Sequence, residues 1–232
     1  MEARVHPHLH VSAGVSEQLR WLVGGFALGF LVPFVFADQL GMQRDLYYGV
    51  YMAAAVVFFA LWARGTRQSL WAMVTRRWPL AIALGVVCAG LLAFIVLQQS
   101  ATARPVGWTL AAAVVWRGVF YGLADGLLLS SFPILAVFAA FAGSPFVERM
   151  RGKVIVGVVA LLASLVMTGA YHAGYSDFRS GKVASPLAGD VVWSMPTLIT
   201  LNPIGAPIAH AGMHVTAVLH SYHTDLFLPP HD

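Results

Sequence analysis

Apolar runs recur along this chain at lengths that only a lipid solvent explains. A helix crossing a bilayer needs about 20 predominantly apolar residues, and the sequence divides into such runs at Leu19–Ala37, Tyr47–Ala63, Pro79–Leu97 and Val154–His172. The region Gly107–Gly143 is too long for one simple span, and Pro133 is expected to divide it into a full span and a shorter helix or re-entrant piece. After a polar loop, Asp190–Leu201 reads as a short apolar piece broken by Pro196, and Pro203 opens a last span that ends near His220. Hydrophobic residues make up 59% of the chain and charged residues 10%. An ordinary globular domain is roughly 25% charged, so a soluble fold could not hide this surface. The expected architecture is an all-α polytopic transmembrane bundle of six to eight apolar helical segments. It forms one integral membrane domain over residues 1–232, with a polar lead at 1–18, the bundle at 19–222 and a tail at 223–232.

The net charge of +4 is not a nucleic-acid signal, because the basic residues fall in loops between apolar runs. The loop carrying Arg64, Arg67, Arg76 and Arg77, and the one carrying Arg149, Arg151 and Lys153, are expected to face the cytoplasm. Six crossings would satisfy both assignments, with both termini cytoplasmic and the plasma membrane as the residence. Trp21, Trp62, Trp71, Trp78, Trp108 and Trp193 fall near span ends, as an interfacial aromatic belt would place them. The first run follows a polar lead with Glu2 and Glu17 and shows no small-residue cleavage site, so a cleaved signal peptide is not expected. The single cysteine, Cys88, excludes a disulfide framework and a cysteine metal site. The bilayer is the expected partner, with a membrane protein or peptide as the candidate substrate and no nucleic acid.

Ionisable groups inside spans are costly, and each is a functional hypothesis. Arg117 and Asp125 are eight apart with Tyr121 midway, so on a regular α-helix the three share a face. They read either as an internal ion pair, bridged through Tyr121 or water, or as part of a catalytic or ligand-binding site. His210 and His214 are four apart, which puts both rings on one face as two ligands of one metal would need. His172, from another helix, would complete a three-nitrogen site with an open position; the alternative is that each histidine hydrogen-bonds between helices. His220 and His223 are expected at the membrane surface, and His6, His8 and His10 in a solvated tail. The loop Gly174–Asp190, with Asp177, Arg179 and Lys182, reads as a solvated loop or a cap over the site. Asn202, before Pro203, is a candidate helix cap.

The run Ala112-Ala113-Val114-Val115-Trp116-Arg117-Gly118, followed by Thr168-Gly169-Ala170-Tyr171-His172 and then His210-Ala211-Gly212-Met213-His214, resembles the CPBP family of CAAX-processing and bacteriocin-processing intramembrane proteases. The resemblance covers roughly the second half of the chain. It implies a CPBP-like helical fold and a membrane endopeptidase site at Arg117, His172, His210 and His214. Ala112 and Ala113 stand where that family has its two glutamates, Thr168 where it has Phe, and His214 where it has Asn. Alanine accepts no proton, so the general base that the resemblance implies is missing. Asp125 lies twelve positions beyond Ala113, about 18 Å along a straight helix, and cannot occupy the same place.

Replacing Asn by His directs attention elsewhere. Three imidazoles, His172, His210 and His214, with Asp125 or water as a further ligand, could hold zinc, copper or iron. A divalent metal such as zinc is therefore the candidate cofactor. Three readings follow: an atypical or inactive CPBP-like protease, a histidine-ligated metal-binding membrane protein, and a noncatalytic partner or scaffold subunit in which Arg117 and Asp125 merely join helices.

Overall fold

The computed structural model describes residues 14–179, 181–223 and 227–228, and among these all regular structure is helical. The helices are α1 (Val15–Gln39), α2 (Arg44–Gly65), α3 (Leu70–Thr75), α4 (Trp78–Leu97), α5 (Gly107–Ala140), α6 (Met150–Ala173), α7 (Ala184–Thr200) and α8 (Gly205–His220). Five of them, α1, α2, α4, α5 and α6, are long and apolar enough to cross a membrane. The three histidines expected in a solvated tail, His6, His8 and His10, lie outside the described residues.

Side chains at the two ends of the bundle show how the helices alternate. At one end Trp62 Nε1 donates to Gln18 Oε1 at 2.9 Å, Arg76 Nε donates to the Thr200 carbonyl at 3.1 Å, and Asn202 Nδ2 donates to the Val74 and Arg76 carbonyls at 2.7 and 2.5 Å. At the other end Ser176 N donates to Asp38 Oδ1 at 2.8 Å, and Thr102 N donates to the His220 carbonyl at 3.0 Å. The chain thus passes seven times between the ends, counting the shorter α7 and α8. The start of α1 and the end of α8 lie at opposite ends of the bundle. Both basic loops lie at the end where α1 starts.

The 34-residue α5 also departs from expectation, since Pro133 does not divide it. A proline removes one backbone donor and crowds the carbonyl four residues earlier, here that of Leu129. The helix widens to π-type bonding over Leu127–Ser131, and Phe132 N reaches back to the Leu127 carbonyl. The displaced Leu129 carbonyl accepts from Ser164 Oγ of α6 at 3.0 Å. A second π stretch spans Val114–Phe120, leaving six α-helical residues, Tyr121–Gly126, between the two. A third π stretch, Pro33–Gln39, begins at Pro33 and ends α1.

Further expectations change. Trp71, Trp78 and Trp108 are exposed as a belt requires, but Trp62 and Trp193 are buried in the interior. The segment after α6 is not a plain solvated loop: Tyr175 and Phe178 are buried, and Arg179 bonds Asp38 across the bundle end at 3.2 Å. Asn202 is not the cap of the last helix, whose N-cap is Ile204 with no side-chain cap; its Oδ1 accepts from Ile204 N at 2.9 Å in the turn before the helix.

Candidate metal centre

The centre forms where α5 and α8 come close enough for backbones to touch. Gly118, Gly122 and Gly126 recur every four residues on α5. A Cβ on them would stand 2.8 Å from a Val215 side-chain carbon, 2.6 Å from Ala211 Cα and 2.6 Å from Pro207 Cα respectively. Such small-residue stripes let membrane helices approach closely. The opposite face of α8 fits α4 by the same means, with Gly85 against the Gly205 carbonyl and Gly212 against Ala89. Wedged between these helices, α8 turns His210 and His214 toward Asp125.

Asp125 Oδ2 lies 3.4 Å from His210 Nδ1 and 3.4 Å from His214 Nε2. One donor atom from each of the three residues lies within 4.8 Å of the others, and all three residues are buried. Tetrahedral ligand atoms about 2.0–2.1 Å from a zinc ion stand roughly 3.3 Å apart, so the two Asp–His separations match ligand edges better than short hydrogen bonds. Neither nitrogen of His210, 1% exposed, has a hydrogen-bond partner among the described residues, and His214 Nδ1 has none either. The other oxygen of the carboxylate is fixed: Tyr51 Oη donates to Asp125 Oδ1 at 2.7 Å. His210 is backed by Trp193, with ring centroids 4.2 Å apart, and His214 meets the Tyr121 ring at 4.9 Å.

Asp125 and His214 open onto a cavity of about 290 Å³ whose walls include Tyr121, Tyr171, His172, Trp193, Met213 and Phe227. Gln99, just past α4, and Ser185, near the start of α7, also line it, so it reaches the end of the bundle away from the basic loops. Four buried phenols form a hydroxyl chain that reaches the cavity at Tyr171 and Tyr121. Tyr47 pairs with Tyr175 at 2.6 Å, Tyr175 donates to Tyr171 at 2.6 Å, and Tyr171 is hydrogen-bonded to Tyr121. Each hydroxyl has one proton. When Tyr171, accepting from Tyr175, donates to Tyr121, the Tyr121 proton is left for the cavity.

The sequence-derived candidates therefore separate into two groups. His172 lines the cavity but stands outside the three-donor cluster. Its Nδ1 donates to the Thr168 carbonyl one turn earlier at 2.8 Å, and its ring is held edge-on to Tyr171 and Phe178 at 5.0 and 4.8 Å. Asp125, expected as an optional further ligand, takes the third place instead. Arg117 leaves the site altogether: Nε donates to Asp45 Oδ1 at 2.7 Å and Nη2 to Oδ2 at 2.8 Å, and the guanidinium lies 5.0 Å over the Tyr222 ring. The expected Arg117–Tyr121–Asp125 face is broken because the π stretch Val114–Phe120 changes the turn between Arg117 and Tyr121. Ala112 and Ala113 border the Arg117–Asp45 cleft, not the Asp125 cavity. His220 Nε2 bonds the Gln99 carbonyl at 2.9 Å and His223 is exposed, so both sit at the bundle end.

Sequence reasoning missed Tyr51 and the phenol chain. The spacing of Tyr47, Tyr48 and Tyr51 in an apolar run was the available signal for both. No family model matches this chain, and no curated protein or solved structure matches it either.

Proposed function

We propose that this protein is an integral membrane metalloprotein that holds one divalent transition metal ion on Asp125, His210 and His214 and hydrolyses a largely apolar substrate in the adjoining cavity. The observation that carries this reading is the gathering of two imidazole nitrogens around one carboxylate oxygen, with a fully enclosed His210 whose nitrogens have no other partner. Two histidines and a carboxylate with an open fourth position form a donor set used by zinc hydrolases. Bound there, the metal would supply an acidic water near neutral pH and polarise a carbonyl.

The chain's own residues supply the rest. With its Nδ1 proton committed to Thr168, His172 offers the Nε2 lone pair as the base that takes the proton of water and returns it to the leaving group. Tyr121, polarised by the hydroxyls behind it, donates to the oxygen that gains charge. Leu92, Ile95, Trp193, Met213 and Phe227 line the remainder of the cavity, which fits an amphipathic molecule with an ester or amide bond near its polar end. The endopeptidase activity implied by the CPBP resemblance belongs to this class, with a metal-activated water in place of the missing glutamate. The basic loops assign their end of the bundle to the cytoplasm and the cavity rim to the other side, with seven crossings of the plasma membrane.

Metal analysis of the protein purified in detergent tests the reading. About one zinc per chain is expected after loading and dialysis, and almost none in Asp125→Asn or His210→Ala; a wild-type protein without bound metal ends it. Release of p-nitrophenol from long-chain acyl esters then tests the chemistry, with loss expected in His172→Ala at unchanged metal content.

A further inference from the structure

The main cavity opens sideways. Where α4 and α7 border it, its lining residues reach the surface: Ile95 of α4 is 46% exposed, Gln99 just past α4 is half-buried, and Ser185 and Ala188 of α7 are exposed. At the other end of the bundle the same two helices are pinned, since Arg76, just before α4, donates to the Thr200 carbonyl at the end of α7. The mouth therefore lies between the last turn of α4 and the first turns of α7. Leu91 and Phe94 of α4 and Val191 of α7 are exposed apolar side chains on the surface of these helices, so the mouth faces acyl chains. Depth agrees with this. His214 is six residues before the end of α8, about 9 Å along the helix. A bilayer of about 40–45 Å with a hydrocarbon core of about 30 Å leaves roughly 5–8 Å of headgroup on each side, so the centre sits where glycerol esters meet their acyl chains.

The lining of this passage selects among amphipathic substrates. Leu92, Ile95, Pro186 and Ala188 stand on its walls. A peptide would bring an N–H donor and a carbonyl acceptor for each residue, and these side chains answer neither. An acyl chain asks only for apolar contact. Polar groups stand at the rim: Gln99, Ser185 and the exposed Lys182, whose carbonyl accepts from Ser185 N at 3.3 Å one turn further on. A lysine ammonium at that level is placed to meet a phosphate.

Resting on the hydrolytic reading above, we infer that the cavity takes a glycerophospholipid sideways from the leaflet remote from the basic loops, through the mouth between α4 and α7, and cleaves one of its acyl esters. The acyl chain lies along Leu92 and Ile95, the phosphate meets Lys182, and the ester reaches Asp125 and His214. The oxygen of water bonds to the acyl carbon, the bond from that carbon to the glycerol oxygen breaks, and His172 passes the proton of water to the glycerol oxygen. The products are a fatty acid and a lysophospholipid, which return to the bilayer by the same mouth.

The test uses the full chain in vesicles of phosphatidylcholine and phosphatidylglycerol, the latter carrying a photoactivatable diazirine beside one acyl ester. After illumination, mass spectrometry should find label on Trp193 and Met213, which are buried beyond the reach of bulk lipid, as well as on the outward Val87. Ala188→Trp narrows the mouth and should lower the interior label roughly 10-fold, with the label on Val87 unchanged; Ile95→Trp blocks the mouth from the other helix and covers the case in which the first variant fails to fold. Lys182→Glu should lower the interior label as well. Fatty acid release from the same vesicles should fall in parallel. Asp125→Asn, which removes a metal donor, should keep the interior label, so the route is tested independently of the metal centre. Label confined to outward residues, or interior label undiminished by both tryptophan variants, would overturn the route. Hydrolysis of p-nitrophenyl esters or of membrane-embedded peptides, with no fatty acid released from the vesicles, would overturn the lipid assignment and leave the hydrolytic reading standing.

Discussion

Tyr51 Oη donates to Asp125 Oδ1 at 2.7 Å, while Oδ2 of the same carboxylate faces His210 and His214 at 3.4 Å each. One oxygen is thus anchored to α2 and the other is presented to α8. A partner of this kind fixes the orientation of a ligating carboxylate, and its loss typically weakens metal affinity by about 10–100-fold. Tyr51→Phe should therefore bind zinc with a Kd raised by that factor while still reaching one equivalent at saturation. Competition with a chromophoric chelator measures it, and an unchanged Kd would remove Tyr51 from the site.

Removing the metal should destabilise the fold, because the ligands come from α5 and α8. A bound ion at about 100 times its Kd stabilises the native state by roughly 2.7 kcal/mol. Chelator-treated protein should unfold at a lower temperature, with zinc restoring the wild-type value and magnesium failing to do so. The same unfolding temperature before and after chelation would argue against a metal joining those helices.

The Arg117–Asp45 pair should behave as structure and not as chemistry. Arg117 is buried and Asp45 about half-exposed, with two hydrogen bonds of 2.7 and 2.8 Å between them. Hydrogen bonds to charged groups contribute about 1.5–3 kcal/mol, reduced here by the solvent reaching Asp45. A double-mutant cycle with Arg117→Ala and Asp45→Ala should give a coupling of about 1 kcal/mol, with zinc stoichiometry unchanged in both. Loss of metal in Arg117→Ala would show that the two sites are linked.

Gly122 allows no side chain, since a Cβ would stand 2.6 Å from Ala211 Cα and 3.1 Å from the His214 ring. Gly122→Val should force α8 away from α5, cost about 1–3 kcal/mol or more, and release zinc. Gly90, where a Cβ meets nothing within 4 Å, is the control: Gly90→Val should retain metal and unfold near the wild-type temperature.

How much of this was legible before the structure depended on the length scale of the signal. Run length located α1, α2, α4 and α6 to within a few residues, because burial in lipid is a property of whole segments. Spacing of four correctly put His210 and His214 on one face, since α8 is regular there. The same spacing failed for Arg117, Tyr121 and Asp125, because it assumes an uninterrupted α-helix and α5 is not one. Pro133 misled for a related reason: its rupture is absorbed by a π stretch and by Ser164, a residue 31 positions later. Tyr51 and Asp45 meet Asp125 and Arg117 through pairings across more than 70 positions, which no local pattern announces.

The two wide turns flanking Tyr121–Gly126 give α5 a property of its own. Each adds a residue that the regular helix would not hold, and each residue of an α-helix corresponds to a rotation of about 100°. The short central stretch carrying Asp125 therefore has its azimuth set separately from both ends of the rod. Deleting a single residue from Leu127–Ser131 would leave the carboxylate facing α8 but swing Phe132–Ala140 by about a quarter turn, tearing one half of the helix from its packing and sparing the other.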